Sequence, residues 1–167
     1  RDTGVLTPVG ASVNAAPNST GAVVPAGMTI DRSGTFLYVA NYNVGALPAE
    51  IGAFRINPTT GALTPVAGGP FFGALIRGSA SIAINPSSTY AYVGDPENGN
   101  ILAFRIDPVS GALTAVPGVP ASTGSGVRQV VVDPSGRFVY TANLFGPLGQ
   151  ATVSAFSIDE LSGVLTP

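Results

Sequence analysis

Few side chains in this sequence are suited to chemistry, and their types narrow what chemistry is available. Histidine and cysteine are both absent, so these residues supply neither an imidazole base nor a thiolate nucleophile. What remains is seven arginines, no lysine and nine carboxylates. Arg77 and Arg128 lie just before short β-branched runs, where a guanidinium can grip a carboxylate or phosphate in bidentate fashion or, more ordinarily, form an ion pair. Glu50 is an isolated acid in an apolar stretch, which marks it for burial. Asp95 and Glu97 can offer oxygens to a hard cation, although Asp95-Pro96-Glu97-Asn98-Gly99 equally spells a polar turn. Arg77, Arg128, Glu50 and Asp95 are therefore the ligand-binding candidates, and no residue is assigned a catalytic role. The sequence contains no glycine-rich phosphate loop, no HExxH, no GxSxG elbow and no spaced metal-ligand cluster, so no cofactor or metal is expected. Asn18-Ser19-Thr20 matches an N-glycosylation acceptor.

The composition bounds the partners. Only 10% of residues are charged and the formal net charge is −2, which leaves no clustered basic footprint for nucleic acid. No run of 18 apolar residues and no amphipathic basic helix is present, so membrane insertion is not expected. Glycine (22) and proline (15) are abundant, but β-branched and aromatic clusters recur between them at regular intervals, which a disordered chain would lack.

Those clusters are the elements that must position the candidate residues. Met28-Thr29-Ile30-Asp31-Arg32-Ser33-Gly34 followed by Phe36-Leu37-Tyr38-Val39-Ala40-Asn41 returns as Ile82 to Asp95 and again as Val130 to Asn143. Tyr38, Tyr92 and Tyr140 are thereby separated by 54 and 48 residues. A second phrase follows each time: Ala53-Phe54-Arg55-Ile56-Asn57-Pro58-Thr59-Thr60-Gly61-Ala62-Leu63-Thr64, then Ala103 to Thr114, then Ala155 to Thr166. From Gly4 to Gly163 is 159 residues, or three periods of 53.

Each period holds four short extended segments, here called A to D: A at 28–31, 81–85 and 129–133; B at 36–40, 90–94 and 138–142; C at 51–57, 100–106 and 152–158; D at 63–67, 113–116 and the final residues. Asp31-Arg32-Ser33-Gly34 and Asp133-Pro134-Ser135-Gly136 have turn chemistry for A–B hairpins, and Asn57-Pro58-Thr59-Thr60-Gly61 and Asp107-Pro108-Val109-Ser110-Gly111 for C–D hairpins. Four strands in a repeated unit is the grammar of a β-propeller. The expected class is all-β: a partial β-propeller over 1–167 of about three four-stranded blades, part of a larger propeller, with repeats at 4–60, 61–110 and 111–163. Strand A is then innermost, D is outermost, and the variable B–C and D–A connections share one end, where binding belongs. The three tyrosines are expected between blades. Arg55 and Arg105, at matching repeat positions, are expected to be scaffold, and Asn41, Asp95 and Asn143 to close loops at the ends of the B segments.

Tyr38-Val39-Ala40-Asn41, Tyr140-Thr141-Ala142-Asn143, Phe54-Arg55-Ile56 and Gly61-Ala62-Leu63-Thr64-Pro65-Val66 together resemble the YVTN-type repeats of the seven-bladed lactonase-like β-propellers, a family with 6-phosphogluconolactonase-like members. The resemblance covers essentially the whole chain. It implies a pocket at the top of the central channel lined by His, Arg and acidic residues, and a secreted or extracellular bacterial protein. The blade repeats, the sparse charge and the absence of histidine, thiol and metal motifs lead to the expectation of a noncatalytic scaffold for extracellular assembly or binding. Hydrolysis of a sugar-acid lactone, or small-ligand or glycan binding at the channel mouth, are the alternatives. Three blades do not close a ring, so the expected partners are further blades, from a longer parent chain or from another copy.

Overall fold

The computed structural model describes residues 5–17, 19, 21–43, 49–72, 81–118, 120–124, 126–144 and 149–167. Its first sheet runs β1 (Val23–Ile30), β2 (Phe36–Asn43) and β3 (Glu50–Ile56), with β4 (Leu63–Pro65) and β5 (Phe71–Phe72) both pairing with β3. The second runs β6 (Ser81–Ile84), β7 (Tyr90–Asp95) and β8 (Asn100–Ile106), with β9 (Leu113–Ala115) and β10 (Ala121–Ser122) both pairing with β8. The third runs β11 (Val127–Val132), β12 (Phe138–Asn143), β13 (Thr152–Ile158) and β14 (Leu165–Thr166). All pairings are antiparallel, and all but β3 with β5 and β8 with β10 join chain neighbours; β6 packs between β1 and β11, so the first strand of each sheet is innermost. The architecture is part of a β-propeller, unclosed in these three blades. The expected D–A links differ in one respect: Phe71–Phe72 and Ala121–Ser122 return to the edge of the third strand, extending the outer edge in two pieces.

The hairpins repeat at atomic detail. In the A–B turns, Asp31 Oδ1 accepts from the amides of Thr35 (2.8 Å) and Phe36 (2.7 Å), Asn85 Oδ1 from Thr89 and Tyr90 (both 2.9 Å), and Asp133 Oδ1 from Arg137 and Phe138 (both 2.9 Å). In the C–D turns, the oxygens of Asn57, Asp107 and Asp159 each accept from the second and third following amides. These side chains satisfy backbone donors that the ladders cannot reach, which is why Asp and Asn recur there.

Period-two alternation directs each strand's side chains to opposite faces, and both faces are used. Phe36, Tyr38, Ile51 and Ala53 of the first blade meet Ile82, Ala91, Val93 and Phe104 of the second in one core. Tyr90, Tyr92 and Ile101 of the second meet Val127, Val130, Val139 and Phe156 of the third in another. Blades approach closest at the C–D turn glycines. A Cβ on Gly111 would lie 2.4 Å from the Phe36 ring, and one on Gly163 would lie 2.4 Å from the Tyr90 ring. Both glycines also hold positive φ, 77° and 75°, so the site excludes a side chain twice over. Of the repeated tyrosines, Tyr38 donates its hydroxyl to Gly111 O across the first interface (3.0 Å). Tyr92 is fully buried with its hydroxyl unpartnered, and Tyr140 is 39% exposed.

Candidate functional site

At one end of the blades, strand B finishes and strand C begins in a polar pair at the same register in every sheet. The pairs are Asn41 with Glu50, Asp95 with Asn100, and Asn143 with Thr152. Polar residues at this height are otherwise out of place among the apolar strands, and Asn41, Glu50, Asp95 and Asn143 are all buried. This end, with the first residues of β1 and β11, is the one expected to carry the site.

The three pairs are committed to different degrees. Asp95 serves its own turn: Oδ1 accepts from the amides of Glu97 (3.0 Å) and Asn98 (3.2 Å), and Oδ2 from Asn98 Nδ2 (2.7 Å). Asn143 Nδ2 reaches across to Ser154 Oγ (2.9 Å) and Thr152 Oγ1 (3.3 Å). In the first blade, Asn41 Nδ2 donates to Ala15 O (3.1 Å) and Val39 O (3.3 Å), tying the amino-terminal segment against β2. That segment lies so close that a Cβ on Gly52 would sit 2.0 Å from Ala15 O, which explains a glycine in the middle of β3.

Glu50 has one oxygen committed and one free. Its Oε1 accepts from Ser19 Oγ at 2.8 Å, while Oε2 is buried without a hydrogen-bond partner. Asn41 Oδ1 and Asn43 Nδ2, on the same end of the sheet, are also buried and unpartnered. Asn143 Oδ1 is in the same condition at the equivalent place in the third blade, and because buried polar atoms are nearly always paired, these orphans mark this end as prepared for a polar group. Sequence alone singled out Glu50; the part of Asn43 and Ser19 carried no signal in the repeat, because neither position recurs.

Arg128 occupies the β-bulge between Val127 and Gln129 on inner strand β11, and it is exposed. The first blade has a bulge at the same place, between Pro25 and Gly27, but the residue there is Ala26. A bulge re-aims the extra side chain out of the ladder, and of these two blades the third uses it to present a charge. Arg77 lies outside the described residues. No hydrogen bond or ion pair joins Glu50 to Arg128 among the described residues, so the structure sets these two at the same end on different blades without bringing them into contact. No group of three His, Cys, Asp or Glu able to hold a metal exists among the described residues.

The family model for the seven-bladed β-propeller lactonases matches residues 42–167. The chain belongs to that family. This corrects the expectation of a noncatalytic scaffold, which rested on the blade repeats, the sparse charge and the absence of histidine, thiol and metal motifs: the family those repeats belong to is a lactonase family. No curated protein sequence matches the chain. Among solved structures, a protein of Bacteroides uniformis provisionally assigned as a 6-phosphogluconolactonase superimposes with a TM-score of 0.69 at 23% identity, over 85% of this chain and 38% of its own. A Lactobacillus plantarum protein gives 0.67 at 23%, covering 85% and 40%. The periplasmic gluconolactonase of Pseudomonas aeruginosa gives 0.65 at 22%, covering 86% and 38%. At this identity the likeness is one of fold. The chain spans about two fifths of the length of these structures.

Proposed function

We propose that this protein hydrolyses the lactone of a sugar acid, with Glu50 receiving a proton from the attacking water and Arg128 facing the negative charge that develops. Membership of a lactonase family carries this reading. The buried, uncommitted oxygen of Glu50 supports it. A lactone is a cyclic ester. Water adds through oxygen to the carbonyl carbon while one of its protons passes to the carboxylate. The tetrahedral oxyanion then collapses, the ring C–O bond breaks, and the ring oxygen takes a proton as the hydroxy acid is released. One water is consumed and no electrons change hands. The hydrogen bond from Ser19 holds one Glu50 oxygen and leaves the other for the water, and a guanidinium opposite it stabilises the oxyanion electrostatically.

In this reading the substrate lies across the channel mouth, between the first and third blades, and the remaining blades of the seven-bladed ring come from a longer chain. The periplasmic location of the Pseudomonas aeruginosa protein supports an extracytoplasmic placement. The test is hydrolysis of glucono-δ-lactone above its spontaneous rate near neutral pH. Glu50→Gln is expected to lower kcat by about 100-fold or more with the far-ultraviolet spectrum unchanged. Arg128→Ala is expected to lower kcat/KM by about tenfold or more. No turnover by the wild type, or turnover unaffected by Glu50→Gln, would overturn the assignment.

A further inference from the structure

The opposite end of the blades, where the A–B and C–D turns meet, carries an open groove of about 660 Å³ lined by residues of all three blades. That is the size of a small-molecule site. Two arginines line it, Arg32 in the first A–B turn and Arg105 on β8, and both are exposed. Neither guanidinium makes a hydrogen bond or ion pair among the described residues; the Arg32 backbone amide donates to Ser88 Oγ at 3.0 Å.

For Arg105 this freedom has a specific cause. Arg55 and Arg105 occupy the same register, opposite Phe36 and Tyr90 respectively. Arg55 is held in place: its guanidinium lies 4.6 Å over the Phe36 ring, and Nη2 donates to Val109 O of the next blade at 2.5 Å. The carbonyl equivalent to Val109 in the next C–D turn is that of Leu161. It is taken instead by the Tyr90 hydroxyl at 2.5 Å. Phe36 has no hydroxyl and leaves its carbonyl to the arginine, whereas Tyr90 displaces its arginine into the groove. The nearby Asp107 carboxylate does not recapture it. Asp107 is held below its ordinary pKa chiefly by the Ser110 amide and hydroxyl and by the Val109 amide, with the Arg105 charge the smallest contribution.

The rest of the wall specifies more than an anion. Ser87 and Thr89 present hydroxyls 2.8 Å apart, and Glu160 of the third blade stands on the same groove. A glutamate beside two arginines disfavours a doubly charged phosphate and accepts hydrogen bonds from ligand hydroxyls. We infer that this groove is a second binding site, for a monocarboxylate bearing hydroxyl groups, with its carboxylate on Arg32 and Arg105 and its hydroxyls toward Ser87, Thr89 and Glu160. The site is distinct from the Glu50 end and does not depend on the lactonase reading.

The test is titration of the protein with D-gluconate at low ionic strength, followed by calorimetry, with glucose and inorganic phosphate as comparison ligands. Saturable binding of gluconate, none of glucose and weaker binding of phosphate are expected. Arg105→Ala is expected to weaken gluconate binding by about tenfold or more while lactone turnover stays unchanged. Tyr90→Phe is the decisive variant, because it restores the first-blade arrangement without removing any charge. It returns the Leu161 carbonyl to Arg105 and weakens gluconate several-fold, whereas a purely electrostatic attraction would not respond. Gluconate binding that is absent, equal to phosphate binding, or indifferent to both variants would overturn the inference.

Discussion

Strands β7 (Tyr90–Asp95) and β12 (Phe138–Asn143) hold the same position in neighbouring sheets and follow the same pattern, with an aromatic first residue, Tyr92 or Tyr140 third and an Asp or Asn last. All six residues of β7 are buried, while in β12 buried and exposed residues alternate. The difference lies outside both strands. The face of β7 bearing Tyr90 and Tyr92 is covered by the third blade, with Gly163 against Tyr90 and Val127 and Val130 against Gly94. The same face of β12 has no following blade among the described residues, so Phe138 is 37% and Tyr140 39% exposed. Apolar residues on both faces of a strand are thus a statement about neighbours on both sides. The exposed face of β12 is patterned for a further blade of the kind the family's seven-bladed ring supplies.

The comparison is tested most severely by paired truncations. Tyr92→Ala empties a fully buried position and is expected to cost about 3–5 kcal/mol. Tyr140→Ala, at the equivalent position on the uncovered face, is expected to cost about 1 kcal/mol. Urea unfolding of the two variants measures both, and equal losses would mean that the third blade is covered in solution.

A second pair isolates the glycine contact between blades. Gly163 and Gly61 have nearly the same positive φ, 75° and 73°, but an added Cβ meets the Tyr90 ring at 2.4 Å in one case and only Val9 methyls at 3.7 Å or more in the other. Gly61→Ala should therefore carry only the backbone cost, about 1–2 kcal/mol. Gly163→Ala should add overpacking of about 1–3 kcal/mol. In a Tyr90→Ala background the excess at Gly163 should vanish, which a double-mutant cycle reads directly.

The smallest effect concerns acid. Burial pushes the Asp31 carboxyl up, but the Phe36 amide, the Ser33 hydroxyl and amide and the Thr35 amide together outweigh it and hold the group below its ordinary value of 3.8. Asp133 is held low in the same way, chiefly by the Ser135 hydroxyl. A carboxyl with a depressed folded pKa contributes stability above its unfolded value and loses it as pH falls through the folded one. Asn85 makes the same turn bonds in the second blade and does not titrate. Amide exchange in moderately acid solution should therefore rise at Phe36 and Phe138 before it rises at Tyr90. Uniform exchange across the three turns would show that acid acts elsewhere.

Much of this molecule can be read from its residues in order. Asp or Asn followed by Gly or Ser at fixed offsets dictates the hairpins, because a side-chain oxygen two to five residues away closes the turn regardless of what surrounds it. The 53-residue recurrence then dictates equivalent four-stranded blades, and Glu50 is conspicuous as a charge with no local reason to be there. What only the tertiary structure decided depends on residues far apart in the chain. Asp95 is legible as a turn residue from the Pro96, Asn98 and Gly99 that follow it, whereas nothing local says what Glu50 meets. Folding brings Ser19 of the amino-terminal segment onto one Glu50 oxygen from 31 residues away and leaves the other buried without a partner. Arg55 and Arg105 are identical letters at identical repeat positions. They part company because a hydroxyl on Tyr90 reaches a carbonyl 71 residues away, and a contact of that span leaves no trace in local pattern or propensity.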